Sequence, residues 1–178
     1  MNFHNAINNL IKSSAFIPVL LGEKPKSIRP LAGGTISSVY KAQMADGRSL
    51  VLKFGEDADE LRHEQLFLEA WAKHGIRTPR VLHHTQLPAD LYGGLLLMEY
   101  VPGENLLPLI DAGKVDEAKV MIDLGEILAT IHDMKASGFG QVSISPDGEL
   151  RGEHKTLDKS LSTREWEEII EENRQNNN

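Results

Sequence analysis

Lys53 sits near the end of an alternating run, Ser49-Leu50-Val51-Leu52-Lys53-Phe54. Upstream lies a small polar turn, Ala32-Gly33-Gly34-Thr35-Ile36-Ser37-Ser38. Glycines let backbone N–H groups come close to an anion, and hydroxyls add donors. A cation beneath such a turn would complete an anion cradle. The turn alone is also what an ordinary glycine-rich bend looks like. No Gly-Lys-Ser/Thr follows it, so it is not a Walker-type phosphate loop. The lysine comes after an intervening strand instead, the layout of a glycine-rich loop that covers phosphates.

Side chains alternate across a sheet. Leu50, Leu52 and Phe54 therefore share one face and suit a core, while Val51 and Lys53 share the other. Val51 could lie on a flat base and Lys53 could reach charged oxygens. The competing reading is a solvent-facing lysine, the usual fate of that residue. A downstream carboxylate bears on the choice. Leu61, Glu64, Leu68 and Trp71 follow +3, +4, +3 helical spacing, so Glu64 interrupts an apolar stripe. A carboxylate drawn into an apolar face needs a partner. Lys53 is the nearest candidate in chain order. Glu69 competes but shares a more polar face with Arg62, Leu66 and Lys73. Alternatively, Glu64 lies at the stripe's edge and reaches water.

The elements that must position these groups are legible in outline. Phe3, Ala6, Ile7, Leu10 and Ile11 mark a short amphipathic helix. Asp46-Gly47 is a hairpin signal between β-rich runs at 38–44 and 49–54. A helix is expected over 59–74, with Gly75 ending it. An extended segment follows through Val81 and Leu82, then a buried strand over 94–101, stopped by Pro102-Gly103. A helix is expected over 115–134, a small hairpin over 141–150, and a last helix over 163–172. Its acidic run, 165–172, reads as a solvated face. Nothing alternates as βαβ. The expected class is α+β: an antiparallel sheet with one packed helix, then a helical part.

Composition removes several functions. The chain has 178 residues, 40% hydrophobic and 25% charged, which suits one domain or two small lobes. Nineteen basic and 26 acidic residues give a net charge of −7 without a basic run. Nucleic acid and anionic membranes are therefore not expected partners. No cysteine is present, which excludes disulfides and thiol chemistry. The start lacks the basic and apolar segments of a secretory signal, no apolar run reaches spanning length, and by elimination the cytoplasm is the expected location. The histidines show no ligand spacing, and no Gly-x-Ser-x-Gly elbow occurs.

These motifs, in this order, resemble a known family. The glycine-rich turn, the Asp46-Gly47 hairpin, Val51-x-Lys53, Glu64 on a helix and Leu97-Met98-Glu99-Tyr100-Val101-Pro102-Gly103 resemble the N-terminal lobe of the protein-kinase-like fold. In detail they resemble the aminoglycoside phosphotransferase family, with choline and fructosamine kinases as relatives. Residues 63–82, with Pro79-x-Val81, resemble that family's helix-to-strand stretch. Residues 130–140 resemble its helix ending in Gly-Phe-Gly. The resemblance covers roughly 28–140.

The resemblance implies ATP with Mg²⁺ as phosphoryl donor and a small-molecule hydroxyl or amino-sugar acceptor. It implies that Lys53 holds the α- and β-phosphates and that Glu64 orients Lys53. Gly33, Gly34, Thr35, Ser37 and Ser38 would cover the phosphates. Val39 and Val51 would pack on adenine, and Met98 would line the back of the pocket. The Glu99 carbonyl and Val101 N–H would read the adenine edge. Residues 98–101 also fit an ordinary buried strand running into a turn. Residues 1–101 would form the nucleotide-binding lobe, and 102–178 the hinge and part of a second lobe.

The family's His-x-Asp catalytic loop and later metal-binding Asp have no match. His132-Asp133-Met134 comes nearest, but its aspartate adjoins the histidine. The chain is therefore expected to lack the base and the magnesium ligands. It reads as a truncated phosphotransferase, a natural fragment, or an inactive nucleotide-binding or protein-interaction module. Apolar helix faces along 115–131 are expected to be exposed and to favour self-association.

Overall fold

The structure, a computed structural model, describes residues 3–13, 15–31, 37–87, 93–145 and 149–157. The chain divides into two compact units, residues 1–125 and 126–178.

The first unit is built on an antiparallel sheet of five strands. They are β1 (Ser27–Pro30), β2 (Ser38–Gln43), β3 (Ser49–Gly55), β4 (Val81–Gln86) and β5 (Gly94–Glu99), in the spatial order β1-β2-β3-β5-β4. Pro30 has no N–H to donate and stands on an edge strand, where that loss is tolerated. The β2–β3 turn is closed by the Met44 N–H donating to the Arg48 carbonyl at 2.9 Å. Asp46 supports it by accepting from the Arg48 N–H at 2.9 Å. Gly47 adopts φ 92°, a conformation that glycine takes without steric cost.

Helix α3 (Ala58–Lys73) links β3 to β4, and β5 fills the place between them. Its start is fixed by Asp57, whose carboxylate accepts from the Asp59 and Glu60 N–H groups. Its apolar side, Leu61 and Leu68, packs on Leu96 and Met98 of β5 together with Val51 and Val81.

The opposite face of the sheet carries the larger core. Tyr40, Ala42, Leu50, Leu52, Phe54, Leu95 and Leu97 pack there. Ile7 and Leu10 of α1 (Phe3–Ser13) and Ile17 of α2 (Phe16–Leu21) close it. The sequence pattern predicts one helix packed on the sheet and a separate amphipathic helix at the start of the chain; the structure packs that helix, α1, together with α2 on the other side of the sheet. Burying a side chain such as Phe54 or Leu52 fully contributes about 1.5–3 kcal/mol. This face therefore anchors the sheet, leaving the α3 face for chemistry.

Further along, α4 (Leu106–Asp111) and α5 (Glu117–Asp133) follow β5, and the unit boundary falls inside α5. Asp116 caps α5 by accepting from the Lys119 N–H at 3.3 Å. In the first unit, Leu107, Met121 and Ile122 are exposed; in the second, Ile127 and Leu128 are exposed. The second unit holds an antiparallel pair, β6 (Phe139–Ile144) and β7 (Leu150–His154), at the place where the sequence signals a hairpin. The helix expected over 163–172 lies outside the described residues. No helix among the described residues is long and apolar enough to cross a membrane.

Candidate functional site

Strand register places the candidate residues. Val39 lies opposite Lys53 and Lys41 opposite Val51 in the β2–β3 pair. Val51 lies opposite Met98 and Lys53 opposite Leu96 in the β3–β5 pair. Directly paired residues share a face. Val39, Lys41, Val51, Lys53, Leu96 and Met98 therefore stand on the α3 side of the sheet.

Lys53 meets Glu64 there. The ammonium donates to both carboxylate oxygens, at 2.8 Å to Oε1 and 2.6 Å to Oε2. Their side chains are 23% and 33% exposed. Glu64 reaches Lys53 because +3 and +4 helical steps from Leu61 and Leu68 turn it toward the sheet. Glu69 is exposed and accepts instead from Gln65 at 2.8 Å. The pair is partly open to water, so its worth to folding is at most about 1 kcal/mol. What it supplies is position: a cation held over the sheet with only part of its donor capacity used.

The other candidates divide. Val39 and Val51 are half-buried beside Lys53. Met98 is 7% exposed and packs among Leu61, Leu96 and Val51, so it joins the floor beneath α3. Ser37 is half-buried at a bend before β2. Ser38 stands on a different face from the other candidate side chains. It is 7% exposed and opposite Phe54, and alternation sends its side chain to the face away from Lys53. Gly33, Gly34 and Thr35 lie outside the described residues.

At the end of β5, the Glu99 N–H donates to the Arg80 carbonyl at 3.0 Å, and the Arg80 guanidinium donates to the Glu99 carboxylate at 3.2 Å. Val101 follows, 57% exposed. Among the described residues no acceptor meets its N–H. Sequence reasoning missed Lys41. Its ammonium lies 3.6 Å from the centroid of the Tyr100 ring, a cation–π contact at the same end of the sheet. The two-residue step from Val39 would have placed it on this face.

Among the described residues no cluster of three or more His, Asp or Glu side chains could hold a metal ion. No residue is therefore assigned to magnesium.

Residues 27–175 match the family model described as the phosphotransferase enzyme family. The chain belongs to that family. Solved structures agree on the fold of this phosphotransferase-family chain. One is a thermostable mutant of the aminoglycoside phosphotransferase APH(4)-Ia in ternary complex with AMP-PNP and hygromycin B. It is 16% identical, with a TM-score of 0.61, over 84% of this chain and 48% of its own. The apo form of that thermostable protein is 18% identical, with a TM-score of 0.58, over 82% and 47%. A complex with ADP and hygromycin B is 18% identical, with a TM-score of 0.61, over 84% and 48%. The chain thus spans about half the length of these relatives. At these identities the likeness is one of fold, which is protein-kinase-like as the motif order implied. No curated protein matches the chain.

Proposed function

We propose that this chain is the nucleotide-binding part of an ATP-dependent small-molecule phosphotransferase. The observation that carries the reading is the Lys53–Glu64 pair, held on the sheet face that also presents Val39 and Val51. In this reading the nucleotide lies on that face. Its base rests on Val39 and Val51, and the Glu99 carbonyl and Val101 N–H meet the base edge. Lys53 donates to the α- and β-phosphates while Glu64 keeps its ammonium in place. Gly33, Gly34, Thr35 and Ser37 supply the covering turn, with the Ser38 backbone.

The reaction proposed for the complete enzyme is transfer of the γ-phosphoryl group. The acceptor hydroxyl oxygen bonds to Pγ, the bond from Pγ to the bridging oxygen breaks, ADP leaves, and a base takes the hydroxyl proton. Mg²⁺ would bind with the nucleotide. The base and the metal ligands are not assigned to described residues. The solved relatives bind hygromycin B, an aminoglycoside. A hydroxyl-bearing amino-sugar is accordingly the acceptor class proposed, and the cytoplasm the proposed setting.

The exposed residues Met121 and Ile122 of α5, at 59% and 62%, support a second element of the proposal: copies of this chain associate through that face.

Calorimetric titration of Mg-ATP into the chain and into Lys53→Ala tests the reading. Binding by the wild type that falls at least about tenfold in the variant supports it. No binding by a folded wild type, or equal binding by both, overturns it.

A further inference from the structure

The other side of the sheet carries a cavity of about 470 Å³, within the range of about 300–1,000 Å³ typical of small-ligand sites. It lies among α1, α2 and the start of β1. Its apolar lining includes Ile11, Ile17 and Ile28. Ile17 is 1% exposed, and Ile11 and Ile28 pack against the same core, so the lining is anchored to the sheet. Among the described residues the charged ones lining it are Lys12 and Lys24. Among the described residues the lining carries two cations and no carboxylate, in a chain with 26 acidic and 19 basic residues. Glu23, next to Lys24 in sequence, is directed to Arg48 at 3.6 Å instead. Among the described residues neither lysine takes part in an ion pair.

We propose that this cavity binds a small amphipathic carboxylate, its apolar body on Ile11, Ile17 and Ile28 and its carboxylate at Lys12 and Lys24. Apolar surface drives the body into the cavity, and an ammonium–carboxylate contact is stronger than a neutral hydrogen bond. The site is separate from the Lys53 face, because Ile17 and Ile28 belong to the core that includes Leu52, while Lys53 points to α3. It stands whether or not the Lys53 face holds nucleotide.

The test is an amide-resolved NMR titration of the whole 178-residue chain with sodium octanoate, 1-octanol and inorganic phosphate in separate arms. Octanoate is expected to shift the amides of Ile11, Lys12, Lys24 and Ile28, and to bind about tenfold more tightly than 1-octanol. Lys12→Gln with Lys24→Gln should remove that advantage without lowering Tm, and Lys12→Arg with Lys24→Arg should keep it. The proposal is overturned by equal affinity for 1-octanol, or by phosphate alone binding as tightly. It is also overturned if octanoate shifts are confined to α5, or absent at every concentration below micelle formation.

Discussion

Lys53 on β3 donates to both carboxylate oxygens of Glu64 on α3, at 2.8 and 2.6 Å. This contact ties the strand bearing the cation to the helix that crosses behind it. It also directs the ammonium along the face shared with Val39 and Val51. The pair is partly solvent-exposed, so it positions more than it stabilises.

A double-mutant cycle should show that role. Lys53→Ala is expected to weaken Mg-ATP binding about 30-fold, near 2 kcal/mol, by removing a charged donor. Glu64→Gln should weaken it about fivefold, by freeing the ammonium to wander. In the double variant Glu64→Gln should add almost nothing. Additive losses would show that Glu64 acts without Lys53.

The core face should behave oppositely. Leu52 is fully buried against α1 and α2, while its neighbour Lys53 faces α3. Leu52→Ala is expected to cost about 2–5 kcal/mol in denaturant unfolding. Nucleotide affinity, measured where the variant is still folded, should stay within about twofold of wild type. A large loss of affinity with little loss of stability would place Leu52 at the wrong face.

Much of this layout was legible because it is local. Alternation along residues 49–54 separates Leu52 from Lys53, Asp46-Gly47 sets the hairpin, and helical spacing singles out Glu64 over Glu69. What stayed hidden is short or non-local. Helices α2 and α4 have six residues each and contain Pro18 and Pro108, too few positions for a periodic stripe. The place of β5 between β3 and β4 depends on pairing between distant segments, and so does the Lys41–Tyr100 contact. Ser38 belongs in the sequence both to the polar turn and to the β-rich run over 38–44, and only the register decides which way its side chain faces. The register with Phe54 makes it the first residue of β2, facing the core side.

Tyr40 links the sheet to α1. Its hydroxyl donates to Asn8 Oδ1 at 2.8 Å, and burial raises its pKa above the usual 10.0. A raised folded-state value contributes stability below the unfolded pKa, and that contribution is lost as pH rises through the folded value. Urea unfolding between pH 7 and 11 should therefore show stability falling above pH 10. Tyr40→Phe should lower stability at pH 7 by about 1 kcal/mol and reduce the alkaline fall. An unchanged alkaline slope in the variant would assign the fall to other groups.

The α5 face makes a solution prediction. Met121→Lys with Ile122→Glu should lower the apparent mass seen at high concentration by sedimentation velocity, since both positions are exposed and apolar in the wild type. A wild type that sediments as a monomer at every concentration contradicts self-association through this face.

The nucleotide is proposed to lie on the Lys53 face of the sheet. The most direct test of that placement is an amide-resolved NMR titration of the chain with AMP-PNP and Mg²⁺. The largest shifts are expected at Val39, Val51, Lys53, Glu99 and Val101, and small ones at Ile7, Ile17 and Leu52. Shifts centred on α1 and α2, or no shift in a folded chain, would contradict it.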